Sequence, residues 1–120
     1  MSAKLMTKAQ RTQLAQNGIA QRQARDRGEC IDFMPVVKLF TPDAGATWLL
    51  SEVYPADPDV AFGLCDLGLG FPELGDVRLS EIEAFRSPMG LPVERDQHFL
   101  AKHSLSAYAR EARRAGRVIA

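Results

Sequence analysis

Pro35-Val36-Val37-Lys38-Leu39-Phe40-Thr41-Pro42-Asp43-Ala44-Gly45-Ala46-Thr47-Trp48-Leu49-Leu50-Ser51-Glu52-Val53-Tyr54 carries the reading of the fold. Val36 to Phe40 has the β-branched and aromatic content of a strand, and Thr41 to Gly45 is dense in residues that favour turns. Thr47 to Tyr54 predicts a second strand, with Trp48, Leu50, Glu52 and Tyr54 on one face and Thr47, Leu49, Ser51 and Val53 on the other. Both faces are chemically mixed. Pro55 to Asp59 breaks the run, and Val60 to Leu67 reads as a third strand in which Gly63 lets a neighbour come close. An antiparallel meander is the simplest connection between these segments.

Beyond Leu67, Gly68-Leu69-Gly70-Phe71-Pro72 forms a bend and Glu73 to Leu79 supplies a fourth short strand. Ser80-Glu81-Ile82-Glu83 matches a capping box, which predicts a short helix from Glu81 to about Arg86 that Ser87-Pro88 ends. Leu91 to Asp96, with its proline and charges, suits a final edge strand. Upstream, Thr7-Lys8-Ala9-Gln10 is a second capping box, and the helix it opens has a plausible stop at Asn17-Gly18. Ile19 to Gly28 is rich in Gln and Arg, a marginal helix that contact with the body would have to order. Ser104 caps a C-terminal helix on which Leu105, Tyr108, Ala109 and Ala112 share one face, the face that docks.

The expectation is a single α+β domain over residues 1–120, an antiparallel sheet of four or five strands with N-terminal and C-terminal helices and one short internal helix. Its parts are a basic helical N-terminal region (1–30), a sheet body (31–100) and the C-terminal helix (101–120). A chain of 120 residues with 46% hydrophobic content can bury one modest core. No apolar run approaches the roughly 18 residues of a membrane span, and Met1 to Thr7 has no apolar leader block, so a soluble cytoplasmic protein is expected. Cys30 and Cys65 lie far apart, and Cys65 sits in an apolar run, which points to a buried thiol.

A formal net charge of zero conceals a division. Residues 1–28 hold six basic side chains against one acidic, a net of +5, and residues 101–120 hold five against one, a net of +4. Residues 29–100 hold thirteen acidic against four basic, a net of −9. Either the basic ends fold back on the acidic body, or the two signs face different partners.

Reaction chemistry finds little support in the residues. His98 and His103 are the only imidazoles. They lack zinc-ligand spacing, and Asp57-Pro58-Asp59 lacks the alternation of a calcium loop, so no metal is expected. Gly68-Leu69-Gly70 begins like a dinucleotide fingerprint but has Glu73 where the third glycine belongs, and no Walker-type lysine exists. No cofactor is called for. The serines sit at caps or in a mixed strand, and neither cysteine has a histidine close in sequence. Strand alternation would align Glu94, Asp96 and His98, where a carboxylate could orient the imidazole; salt bridges on an exposed edge strand explain the same pattern. Arg110, Arg113, Arg114 and Arg117 form a basic patch at the end of the last helix, without the interleaved aromatics of a single-strand nucleic-acid binder.

Pro35 to Leu50, Ala61-Phe62-Gly63-Leu64-Cys65-Asp66-Leu67-Gly68-Leu69-Gly70-Phe71-Pro72-Glu73-Leu74-Gly75, and Leu91-Pro92-Val93-Glu94-Arg95-Asp96 together resemble the bacterial family catalogued as domain of unknown function 2958. The resemblance implies a small cytoplasmic protein, often carried by plasmids and other mobile elements, and transfers no catalytic residue. The functional expectation is a non-enzymatic accessory protein, monomeric or a weak homodimer, that binds a protein or nucleic-acid partner through charged surfaces. The alternative is a small ligand-binding domain or enzyme with a site on the sheet built from Lys38, Trp48, Glu52, Asp66, Asp96 and His98.

Overall fold

A computed structural model describes residues 5–120; Met1 to Lys4, including the basic Lys4, lie outside the described residues. The elements run α1 (Lys8–Asp26), β1 (Val37–Phe40), β2 (Thr47–Tyr54), β3 (Asp57–Asp66), β4 (Glu73–Arg78), α2 (Leu79–Ala84), β5 (Glu94–Arg95) and α3 (Leu105–Ala115). The five strands form one antiparallel sheet in the order β4-β3-β2-β1-β5. The α+β architecture expected from the residues is the one observed. Among the described residues, no helix is long and apolar enough to cross a membrane.

Both faces of the sheet are covered, which accounts for the mixed pattern of β2. One face buries Val37, Leu39, Trp48, Leu50, Val53 and Ala61 beneath Leu14 of α1 and Leu79 and Ile82 of α2. The other packs Leu49 and Leu64 against Leu105, Tyr108, Ala109 and Ala112 of α3. Simple alternation would put Val53 on the face of Leu49, yet it joins Leu50. The pairing shifts between Leu50 and Glu52, so Ser51 is an extra residue and the face reverses after it. A second shift follows Val53, and Pro58, which has no N–H to donate, falls in that irregular stretch. β3 therefore begins earlier than the prolines suggest, after the two-residue turn Pro55-Ala56.

The first helix does not stop at Asn17-Gly18. It continues to Asp26 because both residues face β2. Asn17 Nδ2 donates to the Ser51 carbonyl at 2.9 Å, taking up an acceptor of the bulged residue. A β-carbon added to Gly18 would lie 1.8 Å from the Val53 carbonyl oxygen, so glycine is here for close approach rather than for ending the helix. Further along, the Gln21 side-chain amide pairs with both backbone groups of Ile31, each at 2.9 Å. That contact orders the Gln/Arg-rich half of the helix. At its start, the capping box of Thr7 and Gln10 is present as expected.

Ser80 is not the N-cap of α2, which spans Leu79–Ala84 with Arg78 at the cap position. A carboxylate from β3 does that work: Asp59 accepts the Ser80 N–H at 3.0 Å and its hydroxyl at 2.7 Å. For α3, Ser104 accepts the Ala107 N–H as expected, and Asp32 adds the same double grip on Ser106. The predicted edge strand shortens to Glu94–Arg95 because Asp96 Oδ1 accepts the N–H of His98 and turns the chain.

Candidate functional site

The six ligand-binding candidates occupy four places. Lys38 and Asp96 form an ion pair at 3.4 Å, and Lys38 Nζ also donates to the Ala120 carbonyl oxygen at 2.9 Å. His98 stands beside them through its backbone bond to Asp96, and the two line a groove of about 420 Å³ with His103, Tyr108 and Glu111. The backbone bond from His98 is the main cause holding the Asp96 carboxyl below its ordinary value, ahead of Lys38. Glu94 precedes this turn on β5, so alternation does not align it with the imidazole.

Asp66, Trp48 and Glu52 lie elsewhere. Asp66 is buried, and its two oxygens accept the N–H groups of Gly68 at 2.8 Å and Val118 at 2.9 Å. It ties the end of β3 to the chain after α3. Trp48 lies in the core under α2 and forms the floor of an open groove of about 540 Å³ with Leu67, Ile82 and Phe85. Glu52 is 3% exposed and meets Gln21 Nε2 at 3.3 Å. Burial raises its carboxyl above the ordinary glutamate value. Only Lys38, Asp96 and His98 come together, so the six do not converge on one concavity.

The two hydrogen bonds accepted by Asp66 position a different feature. Between β3 and β4, Gly68 and Gly70 take left-handed conformations (φ 79° and 89°), and the bend they form exposes Leu67, Leu69 and Phe71 to 60%, 74% and 79%. The tether to Val118 brings the end of α3 alongside, where Arg113 lines a groove with Phe71, Pro72, Glu73 and Leu74. Arg113 and Arg114 fill the last turn of α3, where cations oppose the helix dipole, and Arg117 follows the cap. All three are exposed.

Among the described residues, the ion pairs are Arg27–Glu29, Lys38–Asp96 and Arg78 with Asp57 and Asp59. Among the described residues no arginine of α3 lies within 4.0 Å of a carboxylate, and of the arginines of the first 28 residues Arg27 alone does, paired two residues along. Arg110 instead meets the Ser106 hydroxyl at 3.5 Å. The helices thus cover the sheet with their apolar faces while Arg22, Arg25, Arg110, Arg113 and Arg114 remain at the surface; Arg11 is the exception, half-buried with its Nε shielded from solvent. Sequence reasoning found this basic patch and missed its apolar neighbour. The signal was there: Leu67-Gly68-Leu69-Gly70-Phe71 puts three large apolar residues into a bend, where polar side chains are the norm.

Among the described residues, no group of three or more His, Cys, Asp and Glu side chains is placed to hold a metal ion. Cys30 is exposed, and the half-buried Cys65, with its thiol pushed up to about 11 by burial, is free. These features define a small α+β protein with a doubly covered sheet and an exposed surface that is apolar and basic together. The chain belongs to the family described as protein of unknown function (DUF2958), which it matches over residues 5–119. No curated protein and no solved structure matches it.

Proposed function

We propose that this protein is a non-enzymatic accessory protein that binds a macromolecular partner through the β3–β4 bend and the end of α3. One observation carries the reading: Leu67, Leu69 and Phe71 stand exposed on one bend, Phe71 shares a groove with Arg113, and among the described residues Arg113, Arg114 and Arg117 have no carboxylate partner. Large apolar side chains gathered in an exposed bend cost solvation unless something covers them, and arginine is among the residues enriched where proteins meet. The combination favours a protein partner that presents acidic and apolar side chains. A nucleic acid would use the arginines and leave the leucines without a role. The setting on a bacterial mobile element is supported by the family resemblance alone.

The test compares wild type with Leu69→Ser/Phe71→Ser and Arg113→Glu/Arg114→Glu in pull-downs at low and high salt, with fluorescence anisotropy on duplex and single-stranded oligonucleotides in parallel. The expected result is a protein partner retained by wild type and lost with either double variant. Retention that neither variant weakens overturns the assignment of the surface. Oligonucleotide binding that depends on the arginines and not on Leu69 or Phe71 overturns the choice of a protein partner. Recovery of no partner, together with turnover of a small molecule, overturns the accessory role itself.

A further inference from the structure

A second feature is built from residues that this surface does not include. Gly18, Gln21, Arg22 and Arg25 of α1 and Glu52, Tyr54, Pro55 and Ala56 at the end of β2 line a half-open cavity of about 130 Å³. A single water needs roughly 10–15 Å³ by the same kind of measure, and drug-sized ligands occupy roughly 300–1,000 Å³, so the space suits a small molecule.

Its charges are arranged in an unusual way. The Glu52 carboxylate is nearly fully buried, and among the described residues no cation lies within the 4.0 Å of an ion pair. Arg22 and Arg25, one helical turn apart, are exposed residues of its lining, and among the described residues neither is in an ion pair. Arg25 acts on the Glu52 charge through space, yet the two stay beyond ion-pair distance. A buried carboxylate left in this state is costly unless a cation reaches it.

The carboxylate is also held in place. Gln21 Nε2 donates to Glu52 Oε1, while the rest of the Gln21 amide is locked onto the backbone of Ile31. Tyr54 donates its hydroxyl to Asp76 Oδ1 at 2.6 Å, which leaves the phenolic oxygen able to accept a hydrogen bond. The inner wall thus offers acceptors and the rim offers guanidinium donors.

We propose that this cavity binds a small zwitterion of the α-amino acid class, its ammonium group on Glu52 and Tyr54 and its carboxylate on Arg22 and Arg25. A simple cation would be repelled by the two rim arginines, and a simple anion by Glu52. A molecule carrying both charges a few ångströms apart satisfies each end. Bidentate guanidinium–carboxylate contact is the strong form of the outer interaction.

The experiment titrates L-alanine into the full chain by calorimetry and by amide chemical-shift mapping, with ethylamine and propionate as probes that each carry one of the two charges. Saturable L-alanine binding with shifts at Gly18, Gln21 and Tyr54 is expected, with each single-charge probe at least about tenfold weaker. Glu52→Gln, close in shape to the native residue, should weaken L-alanine binding at least about tenfold, and so should Arg22→Ala/Arg25→Ala. If Glu52→Gln fails to fold, the exposed arginine variant and Ala56→Phe at the cavity wall decide the matter. No saturable binding of L-alanine, binding of a single-charge probe as tight as L-alanine, or affinity unchanged in the variants overturns the proposal. None of these outcomes bears on the surface at the end of α3.

Discussion

Gly18 of α1 sits so close to Val53 of β2 that an added β-carbon would fall 1.8 Å from the Val53 carbonyl oxygen and 3.0 Å from its carbonyl carbon. The helix approaches the strand backbone to backbone there. Asn17 reaches the Ser51 carbonyl one step away, so the contact and the bulge in β2 form one arrangement.

Gly18→Ala therefore reverses the usual sign. In an exposed helix the change gains up to about 1 kcal/mol through helix propensity. Here it should cost about 3 kcal/mol or more, because the obstacle is backbone that cannot rotate aside. Urea unfolding followed by circular dichroism measures the difference, and a variant as stable as wild type would show that α1 does not pack this closely.

Ser80→Ala should loosen α2 more than loss of an exposed hydroxyl suggests, because it removes one of the two bonds that Ser80 donates to Asp59 and leaves the backbone bond alone to hold the helix start on β3. Those bonds, the side-chain one first, hold the Asp59 carboxyl below its ordinary value. The matching change on α3, Asp32→Ala, should cost about 0.5–1 kcal/mol, the low end for a helix cap because solvent screens the site. Hydrogen exchange should quicken in the first turn of the affected helix and stay unchanged in the other.

Asp66→Ala removes the acceptor for two backbone N–H groups at once. About 1–3 kcal/mol should be lost. The amide of Val118 should lose its protection from exchange, and partner capture by the neighbouring surface should weaken with it. Unchanged protection at Val118 would separate the end of α3 from the bend.

The raised Glu52 carboxyl carries a definite pH dependence. Its folded form holds a proton more tightly than the unfolded chain does, so stability falls as pH rises from the ordinary glutamate value through the folded one. Glu52→Gln abolishes that slope, and its stability relative to wild type should improve from acid to neutral pH and then level off. At the alkaline end Cys65 acts in the same sense, since burial lifts its thiol from 9.0 to about 11, and Cys65→Ala should flatten the decline across that window. Unfolding midpoints at a series of pH values test both. A Glu52→Gln difference that is the same at every pH would show that the carboxylate bears no burial cost.

Much of the architecture was legible because local chemistry and final position agree. Thr7 with Gln10 and Ser104 cap the helices they were expected to cap, and the docking face of α3 follows from the spacing of Leu105, Tyr108, Ala109 and Ala112. The failures share a cause. Asn17-Gly18 has the chemistry of a helix end and Ser80 that of a cap, but each is committed to a strand distant in sequence, and no local rule reports such a partner. Among the site candidates, Lys38, Asp96 and His98 meet, whereas Trp48, Glu52 and Asp66 each serve another part of the sheet.

By itself the order of residues determined the succession of antiparallel strands, the start of the first helix, the C-terminal helix and the division of charge, since these depend on side-chain period, turn chemistry and count. Tertiary structure alone decided that Glu52 is buried outside any ion pair of the described residues and that Phe71 of the exposed bend shares a groove with Arg113. The reason is physical. Burial and charge pairing depend on which surfaces meet across the sheet, and one bulge at Ser51 or one carboxylate at Asp66 changes that meeting without leaving a mark on the local pattern.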